Sequence, residues 1–153
     1  MRSDKTSPLA PTARTIPAGD PRRVVASIAM FDCLSEHWSL CGDEREILLG
    51  GIPNSIWSRW KQHPPAARIE RDTRERIVNL FTIYLNAHSL FAPEFADRWV
   101  RAQNAAFGGI SPISVMLQGK IEDIINVRRY LERIRTPDLA SPFFDRRSSG
   151  LQT

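Results

Sequence analysis

Large apolar side chains recur along this chain at spacings of three and four residues, the period of helices that bury one face. Val24, Ile28, Phe31, Leu34 and Trp38 form the first run, and Asp20-Pro21 ahead of it supplies a capping carboxylate and a proline suited to a first turn, so a helix is predicted over roughly 21–39. Gly42-Asp43 breaks and restarts the chain, and Ile47, Leu48 and Leu49 give a short second helix ended by Gly50-Gly51. Ile52-Pro53 opens a third, with Ile56, Trp57 and Trp60 inward, and His63-Pro64-Pro65 closes it. Ile69, Ile77, Leu80, Phe81, Tyr84 and Leu85 then predict a long helix reaching about Leu90. Ala92-Pro93-Glu94 starts a fifth through Phe95, Trp99 and Val100.

Gly108-Gly109 is a bend in which the backbone can take left-handed angles. Ser111-Pro112 restarts a helix of one or two turns carrying Ile113, Val115, Met116 and Leu117, with Gly119 placed to stop it. A last amphipathic helix, through Ile121, Ile124, Ile125, Leu131 and Ile134, ends ahead of Thr136-Pro137. No run alternates as a strand would, so the fold class is all-α. Residues 1–20, with Pro8, Pro11, Pro17 and Gly19 and few large apolar side chains, are predicted to be a disordered arm.

At 153 residues and 42% hydrophobic composition the chain is long enough for one compact domain or two small helical ones. The net charge of +4 arises from 21 basic and 17 acidic residues, a mixed surface that permits nucleic-acid contact without arguing for it. No apolar run spans a bilayer and no basic-then-hydrophobic leader begins the chain, so a cytoplasmic protein with no membrane contact is expected. Cys33 and Cys41 read as reduced thiols. His37, His63 and His88 lie far apart without metal-ligand spacing, and neither a nucleophile elbow nor a phosphate-binding loop occurs, so the expectation is no enzyme, no cofactor and no metal.

Two stretches carry narrower signals. Leu48 to Lys61 resembles the helix-turn-helix of Xre-like regulators, with Gly51 in the turn. A recognition helix presents short polar and basic side chains to base edges while its other face packs inward. That logic nominates Asn54, Ser55, Ser58, Arg59 and Lys61 for DNA, with Arg68, Arg71 and Arg74 near phosphates. Ile47 is bulky where close helix contact favours Ala or Gly, and Gly50 stands where an apolar core residue is usual, so a helix-turn-helix kept only as scaffold is the alternative.

The second stretch is Trp99, then Asn104, Phe107, Gly108, Gly109, Pro112, Leu117 and Gly119, followed by Val127 and Leu131 in the final helix. This order resembles the toxin-binding domain of the Xre/MbcA/ParS antitoxins, with two departures: Ser114 stands where members often have an acidic residue, and the chain continues from Arg135 to Thr153. The resemblance implies an Xre-like helix-turn-helix region followed by a small helical toxin-binding domain, divided as an arm (1–20), a helical region (21–90), the toxin-binding domain (91–135) and a tail (136–153). It also implies an antidote that covers the NAD-binding cleft of a RES-family toxin, represses its own operon by binding operator DNA, and forms a homodimer. The toxin-binding residues it implies are Trp99, Asn104, Phe107, Gly108, Gly109, Pro112, Leu117 and Gly119. The tail, with Phe143, Phe144, Arg146 and Arg147, is itself a candidate for insertion into the cleft, a disordered tail being the alternative. An orphan helix-turn-helix regulator without a toxin is the alternative.

Overall fold

Seven α-helices follow one another in the computed structural model, which describes residues 19–136, and no strand occurs among these residues. They are α1 (Pro21–His37), α2 (Gly42–Leu48), α3 (Asn54–Gln62), α4 (Arg71–Leu90), α5 (Pro93–Trp99), α6 (Pro112–Met116) and α7 (Ile121–Arg135), with single 3-10 turns at Pro64–Ala66 and Ala105–Phe107. The all-α expectation is met. Most of the arm and all but the first residue of the tail lie outside the described residues, and with them Arg146 and Arg147.

The ends of the early helices follow from local chemistry. Asp20 caps α1, its carboxylate accepting from the Arg22 amide at 2.8 Å. At the other end Ser39 adopts φ +50°, Leu40 N–H donates to the Ser35 carbonyl and Ser39 N–H to that of Glu36, a left-handed cap that usually falls to glycine. The α2 end repeats the device with Gly50 at φ +88°: Gly51 N–H donates to the Glu46 carbonyl and Gly50 N–H to that of Ile47.

Gly50 answers a second demand. A Cβ there would lie 2.9 Å from both Arg76 Nε and Asp72 Oδ2, because the first turns of α4 press on the α2–α3 turn. Thr73, buried, also donates its hydroxyl to the Leu49 carbonyl at 3.0 Å. The position where an apolar residue is usual is therefore occupied by the α4 side chains themselves. Ile47, bulky for a helix contact, is instead turned partly to solvent.

The core is built around α4, which packs against α1, α5 and α7. Ile77, Leu80 and Ile83 on α4 are fully buried, as are Phe31 and Leu34 on α1 and Ile124, Val127 and Leu131 on α7. Each such side chain contributes about 1.5–3 kcal/mol on burial. Trp57 meets Phe31 edge-on at 5.1 Å, and with Trp60 attaches α3 to α1.

Two buried amides on α4 set the register of α7. Asn79 Oδ1 accepts from Arg128 Nη1, and Asn86 Oδ1 accepts from Arg135 Nη1 at 2.9 Å. Both pairs are separated by 49 residues, so the partners advance together by one heptad and the two helices run in the same direction.

Arg101, just after α5, holds the N-terminal helices to the C-terminal ones. Its guanidinium donates to both carboxylate oxygens of Glu44, at 3.1 and 2.8 Å, and to the carbonyls of Trp38 and Ser39. The bond from Arg101 holds the Glu44 carboxyl below its ordinary value against the opposing pull of burial, and the Cys41 amide adds to the lowering.

Two outcomes follow. Ser39→Gly, which relieves the left-handed strain, raises unfolding free energy by about 0.5–1 kcal/mol in urea denaturation. A carboxyl depressed by folding stabilises the chain above its unfolded pKa and loses that contribution as pH falls through the folded one. Glu44→Gln is accordingly less stable at neutral pH, and its urea midpoint falls less steeply than the wild type's once pH drops below about 4.5.

Candidate functional site

The glycine pair closes a loop between α5 and α6. Asn104 caps the 3-10 turn, its side-chain oxygen accepting from the Ala106 amide at 3.0 Å, and its carbonyl accepts from both Phe107 and Gly109. Gly108 at φ +70° and Gly109 at φ +86° reverse the chain, after which Ile110 returns its carbonyl to the Asn104 amide at 3.2 Å. Ile113 N–H then donates to the Val100 carbonyl at 2.8 Å, pinning α6 to the end of α5. Ser111 caps α6 through its hydroxyl, with Pro112 at the first helical position as its fixed φ favours.

Beneath the loop lies an aromatic stack. Trp99, 6% exposed, lies nearly parallel to Tyr130 of α7, with centroids 6.2 Å apart, and faces Phe91 at 6.0 Å. Phe107 packs edge-on against Tyr130 at 5.0 Å. Trp99, Phe107 and Pro112 therefore brace the loop from inside and Asn104, Gly108 and Gly109 shape its backbone, while Leu117, partly buried, and Gly119 (φ +98°) lie at the far end of α6. What the loop shows to solvent is different: Ala105, Ala106, Gly108, Gly109 and Ile110, with Phe95 exposed on α5. Phe95, an apolar position of the fifth predicted helix, and Ile110 are large apolar side chains more than 40% exposed, and nothing in the sequence pattern nominates either as a site residue.

On α3, Ser55, Ser58 and Arg59 are exposed on the face opposite Trp57 and Trp60. Asn54 and Lys61 are differently placed. Asn54 is half-buried with its amide lying over Gly42, where a Cβ would be 2.7 Å from Nδ2. Lys61 forms an ion pair with Asp32 of α1 at 2.9 Å. Arg71 pairs with Glu75, and Arg74 donates to the Ile69 carbonyl. Arg59 and Arg68 line an open hollow of about 510 Å³ with Ile52, Trp60 and His63.

The fold also gathers residues too far apart in the sequence to form a motif. His37 of α1 and His88 of α4 both reach Asp97 of α5, at 3.0 and 2.7 Å on its two carboxylate oxygens. Burial works to raise the Asp97 carboxyl, and the hydrogen bonds to the two imidazoles outweigh it and hold the group below its ordinary value.

Residues 87–136, from the last turn of α4 to the end of α7, match the family model of the antitoxin Xre/MbcA/ParS C-terminal toxin-binding domain. An uncharacterized protein of Sinorhizobium fredii (strain NBRC 101917 / NGR234), y4oB, is 34% identical over 126 residues, covering 82% of this chain and 96% of the relative. The matched segment contains the whole corner from Trp99 to Gly119 and the α7 helix that braces it, and on these grounds the chain belongs to the Xre/MbcA/ParS antitoxin family.

Proposed function

We propose that this antitoxin neutralises a RES-family toxin by covering the toxin's NAD-binding cleft, and that it acts by occlusion rather than by catalysis. The observation that carries the reading is the match of residues 87–136 to a toxin-binding domain, together with an internally braced loop that leaves Ile110 exposed. Blocking a cleft needs shape and a few buried anchors on binding, and an apolar residue on a rigid loop supplies one at small entropic cost. In this reading Trp99, Asn104, Phe107, Pro112, Leu117 and the glycines hold the surface, and Ile110 and Phe95 touch the partner. The tail over 136–153, with Arg146 and Arg147, enters the cleft.

Operator binding by α3 and action as a homodimer in the cytoplasm complete the proposal. Ser55, Ser58 and Arg59 favour DNA contact by their exposure; Lys61, paired with Asp32, contributes only if that ion pair opens. Val78 and Leu85, one heptad apart on α4 and about half exposed, favour pairing of two chains along that helix.

Co-expression with the toxin encoded beside this chain tests the proposal by growth rescue and co-purification. Ile110→Asp abolishes rescue while its melting temperature stays near the wild type's. Trp99→Ala also loses rescue, but through the fold, with about 3–5 kcal/mol less stability in denaturant. Rescue by Ile110→Asp at wild-type strength contradicts the placement of the partner on the loop, and full neutralisation by a chain ending at Arg135 contradicts a role for the tail. In mobility-shift assays Arg59→Ala lowers affinity for the operator and flattens its salt dependence. A wild-type chain that fails to shift the operator even at low salt leaves the helix-turn-helix as scaffold.

A further inference from the structure

We propose that His37, His88 and Asp97 bind one divalent transition-metal ion of the zinc class, which would tie α1, α4 and α5 together. Imidazole nitrogen and carboxylate oxygen are the donors such ions take, and among the described residues this trio has ligand atoms within 4.8 Å of one another. The three side chains come from three helices, separated by 51 and 9 positions in sequence, so no local motif announces them.

The arrangement suits an ion in three respects. The two imidazole planes stand at 86° with centroids 5.9 Å apart, so their nitrogens approach from different directions rather than stacking. The Asp97 carboxylate already lies between them, bonded to His37 Nδ1 and His88 Nε2. Ligands of a tetrahedral zinc ion lie about 3.3 Å from one another, given metal–ligand distances near 2 Å. The trio therefore closes by small side-chain rotations, which partly exposed residues can make.

Tyr84 forms a wall behind the rings, its own ring 4.4 Å from that of His88 and 5.2 Å from that of His37. Such packing fixes imidazole orientation ahead of binding. The His37 side chain is 40% exposed, which leaves a path for the ion and a fourth position for water. Without an ion the same groups form a hydrogen-bonded clamp, and the experiment separates the two.

The full chain, carrying no added histidines and stripped with chelator, is titrated with Zn²⁺ in a calorimeter and with Co²⁺ in a visible spectrometer. One ion binds per chain, the melting temperature rises and chelator reverses the rise. The cobalt form shows d–d bands without a thiolate-to-metal band in the near ultraviolet. His88→Gln and Asp97→Asn each weaken binding at least about tenfold, while His63→Gln leaves it unchanged. Circular dichroism of the metal-free variants checks their helical content, and His37→Gln, at the most exposed of the three positions, repeats the test if either fails to fold. Failure of the wild type to bind either ion, unchanged affinity in the ligand variants, or a thiolate band that brings Cys33 or Cys41 into the site would each overturn the proposal.

Discussion

Two amide side chains buried on one helix govern how the C-terminal half of this protein sits. Asn79 and Asn86 of α4 each require a partner, since a buried polar group without one costs about 1–3 kcal/mol. Arg128 and Arg135 of α7 supply it, and because both pairs keep the same 49-residue offset, one direction and one register satisfy them together. Apolar packing of Ile124, Val127 and Leu131 supplies attraction without such discrimination. A slip of α7 by one turn would keep much of the apolar contact and take the arginine donors away from both amide oxygens.

That constraint reaches the glycine-pair loop through Tyr130. Once α7 is seated, Tyr130 braces Trp99 and Phe107, and the loop from Asn104 to Ile110 is held from beneath as well as by its own hydrogen bonds. The same α4 grips the α2–α3 turn with Thr73 and Arg76, while Arg101 joins the end of α5 to Glu44 and to the α1 end. The N-terminal helices α1 to α3 and the family's toxin-binding domain thus share α4 as a common wall, and the matched family segment begins within that helix, at Ala87.

What the sequence made legible was its punctuation. Asp20-Pro21, Gly50-Gly51 and Ser111-Pro112 act within a turn of where they stand, and the helices begin and end beside them. The α2 start lies at Gly42, where Glu44 accepts from the Cys41 amide and pulls the first turn into register. Motif order identified the family, since Trp99, the glycine pair and Pro112 form one local unit. Surface assignments needed the third dimension. Trp99 and Pro112 are buried braces, Lys61 is paired across to Asp32, and Phe95 and Ile110 lie outward with no sequence pattern to distinguish them from core residues. The His37–Asp97–His88 group and the Arg–Asn pairs join residues tens of positions apart and leave no local trace.

Hydrogen exchange of the intact, toxin-free chain tests most directly whether α4 holds both regions in one cooperative unit. The account predicts that amides in the middle of α1, α4 and α7 exchange with a common free energy, equal to that of global unfolding. Exchange of α5 to α7 through a separate, lower-energy opening while α1 and α4 stay protected would contradict it.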